Sequence, residues 1–126
     1  MARIINYNNK MNYYELNNWH KETLNALINF LPQFQNELSY QINNAIFLIL
    51  SDGISLEINT RKNSNVLDKL SIPVELETID VDVIPVHGLL QCNNGLIGFL
   101  EFYKEDGENI IKLPSANEFI LMSYGL

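Results

Sequence analysis

Two glycine-containing turns divide the stretch from residue 74 to residue 113 into strand-length pieces, and no other feature restricts the fold as strongly. Asn93-Asn94-Gly95 separates residues 86–92 from 96–103, and Glu105-Asp106-Gly107 separates 96–103 from 110–113. Short Asn/Asp/Gly turns between apolar alternations specify antiparallel hairpins. Residues 72–76 add a strand that begins at Pro73, where a missing amide donor is tolerated. Val74 and Leu76 point one way, whereas Ile79, Val81 and Val83 have the opposite parity. A turn or bulge is therefore expected near Thr78, with Asp80 and Asp82 together on one strand face. Pro85 interrupts the run and Pro114 ends it. Gly98, inside a central strand, is read as a site of close packing between helix and sheet.

Upstream the period changes. Tyr13, Leu16, His20, Leu24, Leu27 and Leu31 recur three or four apart, which predicts a helix over residues 11–31. Asn12 is its expected N-cap with Glu15 three residues on, and Pro32 its stop. Leu38, Tyr40 and Ile42 fit either period; the expectation is a helical turn at 33–37 and extended chain after it. Residues 45–50 are apolar on both faces and read as an interior strand. Ser51-Asp52-Gly53 turns that strand into 54–59, where Ile54, Leu56 and Ile58 alternate with polar residues. Residues 61–65 read as a polar, flexible loop, 66–70 as one helical turn, 1–10 as loose chain, and 118–124 as a short piece covering a sheet edge. The whole chain, 1–126, is expected to form one α+β domain: an N-terminal helix packed on a mostly antiparallel, meander-like sheet of five to six strands.

The same stretch carries the charge. Between Glu75 and Glu108, eight acids (Glu75, Glu77, Asp80, Asp82, Glu101, Glu105, Asp106 and Glu108) stand against one base, Lys104, so this segment accounts for the net charge of −7 of the entire chain. A one-sided field of this kind steers an oppositely charged partner. A pI near 4.6 argues against nucleic-acid binding, which needs clustered Lys and Arg. No apolar run approaches the ~20 residues of a membrane helix, and residues 1–10 lack an apolar core of leader length. With a single cysteine, Cys92, no internal disulfide forms, and a cytoplasmic location is expected.

Cys92 and His87 lie five apart on one strand and so point to opposite faces. His20 sits on the apolar stripe of the first helix and reads as a satisfied core residue. Two histidines and one cysteine assemble no zinc set. Asp80, Asp82 and Glu101 are the one carboxylate group suited to a divalent ion for hydrolysis, with the aspartates ~7 Å apart on a strand, although hard-metal sites usually draw their oxygens from loops. No phosphate loop or nucleophile elbow is present. The expectation is a non-enzyme without cofactor or metal.

Several pieces together carry a resemblance. They are Phe30-Leu31-Pro32 followed by Leu38 and Gln41, the hairpin of residues 45–59, Ile72-Pro73-Val74-Glu75, and Val86-His87-Gly88-Leu89-Leu90. The run from Asn94 to Tyr103, Asp106-Gly107-Glu108 and Leu113-Pro114 complete the set. This pattern of strands and turns resembles the immunity proteins of bacterial contact-dependent growth-inhibition and polymorphic toxin systems. The resemblance implies a cytoplasmic antitoxin that binds the C-terminal toxin domain delivered by a neighbouring cell, in many cases a nuclease. No interface residue transfers by motif. The charge pattern nominates Glu75, Glu77, Asp80, Asp82, Glu101, Glu105, Asp106 and Glu108 as the attracting surface, with Tyr103 and Tyr7 as aromatic anchors. The alternative is a small-molecule-binding or structural module with no toxin partner.

Overall fold

The computed structural model describes residues 10–60, 74–93 and 95–123. Two helices, α1 (Asn18–Phe30) and α2 (Gln35–Asn43), pack on one face of a six-stranded antiparallel sheet. The strands are β1 (Ala45–Ile49), β2 (Leu56–Thr60), β3 (Val74–Ile79), β4 (Pro85–Asn93), β5 (Leu96–Lys104) and β6 (Ile120–Ser123), in the order β1-β2-β5-β4-β3-β6. The α+β expectation holds. The meander is β3-β4-β5; the β1–β2 hairpin adds on the β5 side and β6 covers the outer edge of β3.

The helical region begins in two steps. Asn12 and Glu15 form the anticipated capping box, each side chain taking the other's backbone amide at 3.1 Å, but it starts a 3-10 turn, Tyr13–Glu15. Leu16 is extended, and Asn17 caps α1 by accepting from His20 N at 2.8 Å. His20, Thr23, Leu24, Leu27 and Ile28 form its buried stripe, and the helix ends at Phe30 before Pro32. His20 is a core residue as expected: Nε2 donates to Ile54 O at 2.7 Å, and Nδ1 lies 2.9 Å from Asn17 Oδ1.

Residues 38–43 are helical rather than extended. Leu38 and Ile42 bury one turn apart, and Gln41 between them donates to Gly95 O (2.8 Å) and accepts from Ile97 N (3.0 Å). Those long-range bonds join α2 to the β4–β5 hairpin and decide the period. β1 is an edge strand, not an interior one; Met11 bridges to Phe47 through both backbone bonds (3.0 and 2.8 Å) and covers part of its free edge.

Phe47, Leu56, Leu76 and Leu100 face the helices with no exposure, each burial contributing about 1.5–3 kcal/mol. Close packing falls on Gly88, not Gly98: a Cβ at Gly88 would lie 2.6 Å from Phe102 Cε1, whereas at Gly98 nothing comes nearer than Gln91 O at 4.0 Å. Gly98 marks instead a β-bulge, where the β4–β5 register shifts between Gln91 and Cys92.

The strand expected at 110–113 does not form, and β5 takes β2 as its second neighbour. The amides of Ile111 and Lys112 are satisfied by the Asp80 carboxylate (2.6 and 3.1 Å) instead of a ladder. The turn placed near Thr78 comes later: β3 runs straight to Ile79, and residues 80–84 turn the chain, with Val83 at φ +69°. The loop at 61–65 and the helical turn at 66–70 lie outside the described residues.

Candidate functional site

Among the described residues no helix covers the second face of the sheet. Strand register places two rows across it, Glu75–Leu89–Glu101 and Glu77–His87–Tyr103, with Glu105 following Tyr103 at the same parity. Five of the ten anticipated residues, Glu75, Glu77, Glu101, Tyr103 and Glu105, thus share one open surface. Leu89 sits among them, and Ile120 and Met122 flank them on β6.

His87 is the centre of this surface. Its Nδ1 lies 2.8 Å from Glu75 Oε1 and its Nε2 2.6 Å from Glu105 Oε1, and the ring stacks on Tyr103 at 5.0 Å between centroids. Although it points away from the helices, His87 is only 8 % exposed. Burial pulls the imidazole pKa down, but the hydrogen-bonded carboxylates of Glu105 and Glu75 outweigh it and hold the ring above its ordinary value. A ring between two carboxylates donates from both nitrogens, so the protonated form is the one that satisfies this geometry. Glu75 and Glu105 therefore hydrogen-bond one imidazolium, Glu77 adds its charge beside them, and Glu101 lies on the same face. Tyr103 senses the excess: burial first, then the charges of Glu75, Glu105, Glu77 and Glu101, raise its phenol pKa.

The remaining anticipated acids are elsewhere. Asp80 and Asp82 do not share a strand face; they lie in and beside the β3–β4 turn and serve Lys104. The Lys104 ammonium is buried, 3.0 Å from Asp80 Oδ2 and 2.5 Å from Asp82 Oδ2. Asp80, itself 6 % exposed, also accepts from the amides of Val81, Ile111 and Lys112. Burial would raise its pKa, yet the hydrogen bonds from Ile111, Val81, Lys104 and Lys112 drive it far below the usual carboxylate range. Lys104, whose side chain follows the core parity of Val86, draws Asp80 inward, and it neutralises Asp82, which stays exposed in the turn. The group Asp80, Asp82 and Glu101 is likewise not assembled, because Glu101 lies on the open face. Asp106 and Glu108 sit in the exposed turn after β5, Asp106 Oδ1 accepting from Glu108 N at 2.9 Å. Tyr7 lies outside the described residues.

Glu75, Glu77 and His87 bring one potential ligand atom each within 4.8 Å of one another, the set here best placed for a metal ion. Both His87 nitrogens are already engaged by carboxylates, so an ion would have to displace a proton and the Glu75 contact. Cys92 packs against the core, on the other side of the sheet from His87, and burial pushes its thiol up to about 11. His87 was missed as a site residue because its place among the glutamates depends on cross-strand register, which no local pattern reveals.

A cavity of about 470 Å³ opens beyond the end of the face, between residues 51–54, residues 102–104 of β5 and residues 108–113. Tyr103 lines it and so lies between cavity and open face. Among the described residues no helix is long and apolar enough to cross a membrane. Comparison with protein-family models, curated proteins and solved structures finds no match.

Proposed function

We propose that this chain is an immunity protein that binds and neutralises a basic toxin domain through the open face of its sheet. The observation that carries the reading is the sheet face, not covered by a helix among the described residues, on which Glu75, Glu77, Glu101 and Glu105 gather beside the His87 imidazolium. Glu77 and Glu101 form no salt bridge with any described residue, so their charge is available to a partner. Leu89 and Tyr103, set among the acids, supply the apolar and aromatic contacts that carry binding energy once charge has brought the partner in. A nuclease, whose substrate groove is basic, fits this surface, and the strand-and-turn resemblance supports the same assignment.

Co-expression with the toxin-like domain encoded immediately upstream tests the reading, scored by growth rescue and by a one-to-one complex. Charge reversal at Glu77 and Glu101 is expected to slow association by an order of magnitude or more at low salt and to flatten its salt dependence. An active toxin domain that neither co-purifies with the protein nor is silenced by it rejects the assignment. The cavity favours a second reading, a small-molecule binder, since its volume falls within the range of about 300–1,000 Å³ of ligand sites. A melting temperature raised by one compound of a metabolite panel supports that reading.

A further inference from the structure

The cavity has a structural origin and an uncompensated charge. Among the described residues β2 pairs with β5 only through Leu56↔Leu100 and Glu57↔Phe99, and beyond Leu100 none forms a strand against the β2-side edge of β5. Ser55 Oγ accepts from Phe102 N at 2.9 Å in place of a strand carbonyl, while Asp52 accepts from Ile54 N, Ser55 N and Ser55 Oγ, fixing one wall. The opposite wall is held off by the Asp80 carboxylate on Ile111 N and Lys112 N, and by Trp19 Nε1 donating to Pro114 O at 2.6 Å. The gap is thus built by fixed contacts on both sides.

Its lining divides by chemistry. Ile54, Phe102, Ile111 and Leu113 offer apolar surface, and Asp52 and Glu108 offer carboxylates. Neither acid ion-pairs with a lysine or arginine among the described residues, and the cation that lines the cavity, Lys104, is neutralised by Asp80 and Asp82. An apolar slot with uncompensated acids matches a long basic side chain, which lays its methylene stem along apolar surface and keeps its charged head at the polar end.

We propose that this cavity receives one lysine or arginine side chain of the protein that docks on the acidic face. The proposal rests on the functional reading above and extends it by naming the anchor. Tyr103 connects the two sites: it stacks on His87 in the face and lines the cavity. The inserted residue, desolvated between apolar walls and facing carboxylates, acts as an interface hot spot that governs dissociation, while the open-face glutamates govern encounter.

The test titrates the full chain with agmatine, n-butylamine and the uncharged n-butanol, followed by amide NMR. Saturable shifts are expected for both cations at 52–55, 102–104 and 108–113, with n-butanol several-fold weaker. Glu108→Gln, at an exposed position, should weaken both cations without moving Tm. Unsaturable shifts, shifts confined to the open face, or equal binding of the alcohol overturn the proposal. In the toxin complex, Glu108→Gln is expected to speed dissociation several-fold and leave the association rate nearly unchanged. If the amines bind but dissociation ignores Glu108→Gln, the cavity is not the partner's anchor site while the functional reading stands. If the wild-type chain fails to bind the toxin domain, both fall together.

Discussion

Replacing Val83 by glycine is expected to stabilise this protein while weakening its partner binding. Val83 is a β-branched residue at φ +69° and is 72 % exposed. A left-handed backbone costs a side-chain-bearing residue roughly 1–2 kcal/mol, and such exposure leaves little burial to offset it. Glycine removes the strain but adds about 0.5–1 kcal/mol of unfolded-state entropy. The net gain is about 0.5–1 kcal/mol. With an unfolding entropy of about 2.1 cal/mol/K per residue, the 126 residues give roughly 0.26 kcal/mol per degree, so Tm should rise by about 2–4 °C. Val81→Gly is the control: Val81 is similarly exposed (64 %) but has no positive φ, and its replacement should lower Tm. Scanning calorimetry with urea midpoints at constant slope checks both. A Tm for Val83→Gly at or below wild type refutes the strain reasoning. Strain that persists at an exposed position points to use of that side chain. Val83 stands exposed in the 80–84 turn that joins β3 to β4, so the glycine variant should also lower toxin affinity.

Gly88→Ala forces its Cβ against Phe102 and Leu76 and should cost about 1–3 kcal/mol, a Tm loss of roughly 4–11 °C, whereas Gly98→Ala, in open space, should be far milder. The two histidines titrate in opposite senses. The raised His87 contributes stability that is full below pH ~6.5 and is lost as pH rises through its folded value. Burial lowers His20, whose contribution is present above pH ~6.5 and is lost as pH falls. Imidazole NMR should show His87 still titrating above that pH and His20 only below it, and His87→Gln should flatten the alkaline limb of the stability curve. Asp80, with its folded pKa depressed, contributes stability above its ordinary value near 3.8 that is lost as pH falls toward the folded value. Asp80→Asn should lower Tm at pH 7 and shrink the acid-induced loss; equal acid limbs in the two proteins would contradict the assignment.

What the sequence disclosed follows from the range of each interaction. The α1 stripe, the Asn12–Glu15 capping box, the Pro32 stop and the glycine turns depend on neighbours within a few residues, and all are present. Residues 38–43 could not be assigned locally, because Leu38, Tyr40 and Ile42 suit both periods and Gln41 settles the matter through Gly95 and Ile97. Residues 110–113 have strand composition, but a carboxylate some 30 positions earlier takes their amides. Glu75, Glu101 and Tyr103 lie on strands the sequence located, whereas Glu77 falls past the strand expected at 72–76 and Glu105 sits in the turn after β5. Asp80 and Asp82 were misplaced because their environment is set by Lys104, across two strands. Counting charge along the chain does not show which carboxylates already have a counterion.

Lys104 also sets the chemical reactivity of this surface. Its amine is buried, and its hydrogen bond to Asp82 above all, with further support from Asp80, holds it more firmly protonated than an ordinary lysine. Acylation requires a neutral, accessible amine, so Lys104 should be the slowest lysine of the described chain toward activated esters. Its labelling rate then gauges how often the 80–84 turn opens, and an enzyme that acetylated Lys104 would release Asp80, Asp82 and the valines they position in a single event.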